Sequence, residues 1–489
     1  MSVTFQSITF LFLFLFFKLF PKSNDNIIPS IIIIACLLQA IYGIFQYTDI
    51  ISTDSIFKIV GSFDNPAGFA ACLTAGYVFC IYLFDKKKVY PSLTIGAILI
   101  ISTAIVLSAS RAGIISIMIV TALYVYQKIK FYFTKSTKIK ILLISFSIFL
   151  IITISLFFYK KDSATGRLLI WKVTIGMIEE KPLFGWGEGG FRSQYMFLQA
   201  YFFENHHSSS FEVLADNVVH PFNEYLLLTT EYGIVALSLL GILFFTILKL
   251  KEKKYFIYQL TILSILIFAC FSYPLRYPFV WLILAYSLAK LSEINYDVCY
   301  KRTINFSPSL KVTTVFFLFF LAYFSFRDMQ FEYKWKEIAK LSFSGKTKAV
   351  IPSYEELHSH WNGNPFFLYN YGAELNHIKE YSKSIDILHE CEKYYNDYDV
   401  QMLLADNYYN QDNFDKSERH YLLASNMCPN RFQPLYRMMK IYEDKGEAEE
   451  MVNMAKRITA KPIKIPSPTI TKIKFEAKRI LGKKDEVSS

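Results

Sequence analysis

Charge is scarce in this chain. Only 19% of its 489 residues are Asp, Glu, Lys or Arg, whereas an ordinary soluble globule carries about 25%. With 53% hydrophobic residues, 46 Phe and 34 Tyr, it cannot be a disordered chain, which is poor in aromatics and high in net charge. Metal-ligand patterns are also missing: the seven cysteines form no CxxC pair and no Cys/His spacing of a zinc site. Cys36, Cys72, Cys80 and Cys270 lie in apolar runs, Cys299 in a basic loop, and only Cys391 and Cys428 in the polar C-terminal region. A disulfide framework is excluded, and neither a metal nor a cofactor is expected. The opening MSVTFQSITFLFLFLFFKLF has no positive stretch before its apolar run and no small-residue cleavage site, so it is expected to be a retained helix.

What is present divides at residue 327, apolar before and polar after. The first part holds ten runs near the ~20 residues a helix needs to cross a bilayer. They cover approximately 4–20, 27–47, 63–84, 91–109, 112–127, 139–159, 222–248, 255–272, 276–290 and 311–326. The fifth and ninth are short for a full crossing. Alternate connections differ sharply in basic residues. One set contains Lys18 and Lys22, Lys86 to Lys88, Lys128 to Lys140, Lys249 to Lys254, and Lys290 to Lys311; the other short loops contribute only Lys58, Arg111 and Arg276. The rich set is expected to be cytoplasmic. Both termini and the long connection 160–221 then lie outside, and the net charge of +11 needs no nucleic-acid partner.

From Arg327 onward the sequence repeats itself. Gly372 aligns with Ala405, Leu375 with Tyr408, Tyr381 with Phe414, Ser384 with Ser417 and Leu388 with Tyr421, at a constant offset of 33. A third copy continues through Tyr442, Ala448, Ala455 and Ile458, and Pro429 and Pro462 close successive units. Small residues that let paired helices approach, and prolines that end them, predict stacked helix hairpins. The pattern resembles tetratricopeptide repeats, with an incomplete copy between Trp335 and Trp361. It departs from them at Cys391, where Ala is usual, and in the first copy's missing proline. The repeats are either a scaffold on the membrane domain or a binding surface for protein or glycan. The expected fold is therefore all-α: a polytopic membrane domain over 1–326 with about ten transmembrane helices, then a repeat domain over 327–489.

Polar residues gather at one expected membrane face, where ionisable groups usually mark function. In the long outer connection, Arg167, Trp171 and Ile175 recur at i, i+4 spacing, so an interfacial helix presents a cation with Trp171 as anchor. The cluster of Gly185, Gly187, Gly189 and Gly190 follows a helix, not a strand, so a dinucleotide loop is excluded. A tight turn is expected, with exposed amides able to bind an anion. At the loop's end, His220, Asn223 and Glu224 precede a helix. Histidine suits general-base work, with a neighbouring amide or carboxylate fixing its tautomer, and it equally suits a packed structural role. Arg111 and Arg276 lie at the same expected face, where each alone can simply snorkel to water. With Arg167 they supply guanidiniums for a pyrophosphate. Asn65 is read as the cap of the third span.

The ordered series GSFDNPAGFAACL, LSASRAGIISI, GRLLIW with PLFGWGEGGF, and HPFNEYLLLTTEYGI resembles the O-antigen ligase and O-antigen polymerase family of bacterial envelope glycosyltransferases. The resemblance covers about residues 61–240. It implies a metal-independent GT-C-type enzyme at the outer face of the inner membrane, multi-pass, with its C-terminal repeat domain periplasmic. Such an enzyme moves a glycan from undecaprenyl pyrophosphate to an acceptor hydroxyl with inversion. Under it, Arg167 and Arg111 stabilise the leaving diphosphate with Arg276 as a third cation, and His220 is the candidate base. Asn223, Glu224 and Trp171 then line the substrate site. Many relatives place a histidine directly before the Asn-Glu pair, where this chain has Phe222; if that histidine is the base, His220 is structural.

The acceptor can be lipid A core, a growing glycan or protein, so ligase, polymerase and protein O-oligosaccharyltransferase activities stay open. Outside enzymology, a membrane scaffold for envelope glycan assembly is the competing class. A transporter fits less well, because the spans hold few charges at mid-membrane depth.

Overall fold

The computed structural model describes residues 3–19, 26–53, 55–86, 90–129, scattered positions between 137 and 158, and 161–206, 210–250, 255–293 and 308–487. The described residues are helical with no strand, and the chain is an all-α polytopic membrane protein. Most of the expected span 139–159, and Cys299 with many of the basic loop lysines, lie outside the described residues. The chain falls into two compact units, Met1–Lys161 with Phe222–Tyr225 and Ala236–Phe324, and Asp162–Pro221 with Leu226–Val235 and Ser325–Ser489.

In the first unit the helices are α1 (Val3–Leu19), α2 (Ile27–Tyr47), α3 (Pro66–Lys86), α4 (Pro91–Leu107) and α5 (Arg111–Ile129), and later in the chain α9 (Phe256–Ala269) and α10 (Pro278–Leu291). Four described stretches are long and apolar enough to cross a membrane: Ile27–Tyr47, Pro66–Asp85, Glu224–Leu248 and a run from Lys311. Ile8–Leu19, Pro91–Leu107, Phe256–Ala269 and Pro278–Leu291 are apolar but shorter. The expected eighth span, 255–272, thus forms a helix of 14 residues, because the SYP segment that follows turns the chain.

The central helix is α3, which packs against α2, α4, α5, α9 and α10. Its composition explains this. Without a hydrophobic drive between helices in lipid, association depends on close packing, which small residues allow. Gly68 faces Tyr277 and Gly76 faces the Cys36 sulfur, each so closely that an added Cβ would collide, and Ala70 and Ala75 are fully buried. Asn65 caps α3 as expected, its Oδ1 accepting from the amides of Ala67 and Gly68 at 2.9 Å each.

The second unit contains α6 (Lys161–Glu180) and α7 (Gly190–Asn205), then α12 (Thr347–Trp361) and three helix hairpins. These are α13 (Pro365–His377) with α14 (Tyr381–Glu392), α15 (Tyr398–Asn410) with α16 (Phe414–Met427), and α17 (Gln433–Lys445) with α18 (Ala448–Ala460); α19 (Pro468–Val487) packs on α18. The 33-residue offset is realised bond by bond. Ser384 Oγ donates to Gly372 O at 2.6 Å, and Ser417 Oγ donates to Ala405 O at 2.9 Å. Asn364 caps α13 and Asp397, one period later, caps α15. An added Cβ on Gly372 would sit 2.8 Å from the Leu388 side chain, so this position must stay small for the hairpin to close. Cys391 is fully buried, and burial pushes its thiol up to about 12, holding it neutral as a packing residue. Pro429 and Pro462 follow the ends of α16 and α18, where they stop the helix. Burial of Phe367, Leu388 and Leu404 gives the hairpins about 1.5–3 kcal/mol per side chain.

Two helices run across the unit boundaries: α8 (Glu224–Leu248) and α11 (Pro308–Leu341). The helix that begins with the expected tenth span therefore continues to residue 341, and the change of composition at 327 falls inside it. The expected seventh span is present as α8, with one break that its sequence did not announce. Gly233 within it has φ 75° and ψ −178°, so α8 is interrupted there. This conformation is open essentially to glycine alone.

Candidate functional site

In the first unit, three of the candidate residues form one cluster. Asn223 ends the connection before α8, its Oδ1 accepting from Tyr225 N–H at 2.9 Å and its Nδ2 donating to Cys270 O at 3.1 Å. Glu224 is the first residue of α8, and its Oε1 accepts from Leu275 N–H at 3.0 Å. Leu275 and Arg276 belong to a single turn of 3₁₀ helix, Pro274–Arg276, between α9 and α10. The Asn-Glu pair therefore fastens the start of α8 to the turn that carries the exposed Arg276. Phe222, two residues after His220, is held at φ 54° with its ring 5.6 Å from that of Tyr273. A positive φ is costly for a bulky residue and concentrates at functional sites.

Arg111 is the first residue of α5, after a turn in which Ala109 has φ 51°. Ser110 caps the helix, its Oγ accepting from Gly113 N–H at 3.3 Å. The guanidinium thus leaves from a helix start and is half-buried.

In the second unit, Arg167 and Trp171 lie one turn apart on α6, both half-buried. The indole Nε1 of Trp171 donates to Pro221 O at 2.9 Å. This bond ties α6 to the segment holding His220, which is buried at 8% exposure. The structure thereby brings Trp171, and Arg167 one turn away, to the same helix that anchors the histidine segment.

The glycine cluster forms the expected turn but does not leave its amides open. Trp186 N–H donates to Thr230 O at 2.8 Å and Gly187 N–H to Glu231 O at 2.9 Å. Gly189 N–H donates to the Glu231 carboxylate at 3.1 Å. The expected anion site is overturned, because α8 supplies the acceptors. On the other side of the latch, Ile234 N–H, freed by the break at Gly233, donates to Pro182 O at 2.8 Å. An added Cβ on Gly185 would lie 2.5 Å from Thr230 O, and one on Gly233 would strike Leu183 O. The Trp186 indole closes the turn by donating to Met177 O at 2.9 Å, with the Lys181 ammonium 3.9 Å from its ring centroid.

Glu231 is a buried residue of this region that sequence reasoning passed over. It is 7% exposed, and Arg192 on α7 lies within electrostatic reach. Its signal was a carboxylate in an otherwise apolar helix, two residues before a glycine, in LLLTTEYGI. No group of His, Cys, Asp and Glu able to hold a metal occurs among the described residues.

Comparison with curated proteins gave no significant match. Residues 95–241 match the family model of the O-antigen ligase. That span contains Arg111, Arg167, Trp171, His220, Asn223 and Glu224, and also the glycine turn with its Glu231 latch; Arg276 lies beyond it.

Proposed function

Proceeding from an O-antigen ligase family domain over residues 95–241, we propose that this protein transfers a preassembled glycan from a lipid diphosphate carrier to an acceptor hydroxyl. By the family resemblance the carrier is undecaprenyl pyrophosphate, and the reaction occurs at the outer face of the bacterial inner membrane. The observation that carries the reading is the concentration of six of the seven candidate residues within the matched span.

The acceptor oxygen bonds to the anomeric carbon as the bond from that carbon to the diphosphate oxygen breaks. The electron pair leaves on the diphosphate and the acceptor proton passes to His220, so a single displacement inverts the anomeric centre. Developing charge on the diphosphate needs fixed cations, and Arg167 and Arg111, with Arg276 as a third, are assigned to it. Asn223, Glu224 and Trp171 hold the substrate-side geometry. This chemistry needs no metal. The domain over 327–489 is read as periplasmic tetratricopeptide-like repeats, which favour a large acceptor, whether glycan or protein.

Arg167→Ala and His220→Ala in cells lacking the native protein should each lower glycan transfer by about 100-fold or more, with unchanged amounts in the membrane. Full transfer by both variants refutes the site. A scaffold would tolerate the triple change Arg111→Ala, Arg167→Ala, His220→Ala, which separates it from an enzyme. In a deletion strain, bare lipid A core indicates ligation, single-repeat chains polymerisation, and loss of protein glycans the third acceptor.

A further inference from the structure

Between α7 and α8 the chain has no regular secondary structure from Ala215 to Asn223. Its backbone polar groups therefore need partners from elsewhere. For the stretch leading into His220 those partners come from α7 and from the turn after α16, within the same compact unit. Asn430 Nδ2, in the turn after α16, donates to Val213 O at 3.1 Å and to Ala215 O at 2.6 Å. Gln199 on α7, fully buried, donates from Nε2 to Asp216 O at 3.2 Å and to Met427 O, at the end of α16, at 2.7 Å. Its Oε1 accepts from Tyr195 O–H at 2.9 Å, which fixes the amide's orientation.

Side chains of the strap are held as firmly. Asn217 Oδ1 accepts from Tyr398 N–H at 3.1 Å while its Nδ2 donates to Asp399 at 2.9 Å, so both ends are used at the start of α15. Arg431 reaches Asp216 at 2.8 Å with its guanidinium carbon 4.3 Å from the Tyr398 ring centroid. Val219 packs on the core of the first hairpins. His220 comes next, followed by Pro221 and its bond to Trp171.

We infer that the helix hairpins are the mount of the catalytic segment: Asn430 and Arg431, with Gln199, are positioning residues that fix the strap 213–221 and thereby His220. The inference rests on the reading of His220 as the base. A simple appendage for protein binding would have no need to hold this one loop. Asn430 donates to the Val213 and Ala215 carbonyls and Arg431 to the Asp216 carboxylate, each from more than 200 residues away in sequence.

The test uses the full-length protein in detergent or nanodiscs with Asn430→Ala, Arg431→Ala, the milder Arg431→Lys and the charge exchange Asp216→Arg with Arg431→Asp. Hydrogen exchange of peptides covering 213–221 is read beside transfer kinetics. The expected result is exchange at least ten times faster in the strap, with α3 unchanged. Turnover should fall about tenfold at nearly constant KM for the lipid donor, with Arg431→Lys intermediate and the exchanged pair partly restored. Unchanged strap exchange in Asn430→Ala and Arg431→Ala overturns the mount, and faster exchange with undiminished turnover overturns its role in catalysis. A wild-type protein without transfer activity, or an active His220→Ala, defeats the functional reading instead, and the exchange data still decide whether the hairpins hold the strap.

Discussion

The two units are built from the same element by different means. Around α3, helices meet mostly through small residues and apolar contact: Gly68 and Gly76 admit Tyr277 and Cys36, and hydroxyl bonds such as that of Tyr77 with Thr121 at 3.0 Å are few among the described residues. Among the hairpins, helices meet through polar side chains that find backbone carbonyls, such as Ser384 on Gly372 and Ser417 on Ala405. The difference follows from the solvent. In lipid no hydrophobic drive draws helices together, so small residues that allow close approach carry most of the association, with a few interhelical bonds such as Ser116 Oγ to Ser264 O at 2.7 Å. In water the hydrophobic effect supplies the drive, and the buried polar bonds fix register.

The sharpest break in this comparison is Gly233, where the apolar helix borrows the polar method and latches to a glycine turn. Gly233→Ala combines a forbidden backbone region, costing about 1–3 kcal/mol, with a collision against Leu183 O. It should abolish folded, monodisperse protein on size exclusion. Gly187→Ala, also at positive φ but with open space around it, should survive with a modest loss. Next in size, Gly76→Leu should overpack α3 by about 1–3 kcal/mol and lower the thermal midpoint in detergent, with peptides of the hairpins unaffected in hydrogen exchange.

Within the hairpins, Ser384→Ala should cost more than Ser417→Ala. Each leaves a buried carbonyl short of a donor, worth about 1 kcal/mol. Ser384 Oγ also accepts from Asn407 Nδ2 at 2.8 Å, so its loss orphans a second group. Equal shifts in denaturation midpoint would show the two copies to be energetically identical and contradict this account. Phe222→Gly should remove strain at φ 54° and leave stability equal or higher, while Phe222→His tests whether a histidine beside the Asn-Glu pair takes over in a His220→Ala background. Recovery of transfer there would move the base to position 222.

The smallest effect concerns pH. Burial lowers Lys461 to about 8, although its ammonium donates to Arg431 O at 2.8 Å. The unfolded lysine titrates near about 10.4, so between these values the unfolded chain binds more protons and stability rises with pH. Lys461→Met should flatten that rise in thermal melts between pH 8 and 10.

Much of this architecture is legible in the sequence. Apolar runs of membrane length and a 33-residue recurrence of Gly, Ser, Leu and Pro are local patterns, and local patterns follow directly from helix period and hairpin packing. Asn65 as a cap and the glycine cluster as a turn belong to the same class. The break at Gly233 was hidden, because a lone glycine in an apolar helix has no distinctive neighbours until Pro182 and Leu183 are seen to approach it. Gln199, Asn217 and Asn430 were hidden for a related reason. Each is an unremarkable amide whose partner lies elsewhere on the chain, and no periodicity relates Val213 to Asn430.

The recurrence of caps and hydroxyl bonds at one spacing in the first two hairpins makes a stretch of 33 residues a reusable part. A further copy spliced in after α18 would find its serine, its small-residue contact and its cap in register, and the array would lengthen without new design. The middle copy has no such freedom: Tyr398, Asp399 and the turn at Asn430 exist once, so excising it would leave the hairpins stacked and the loop they grip without its moorings.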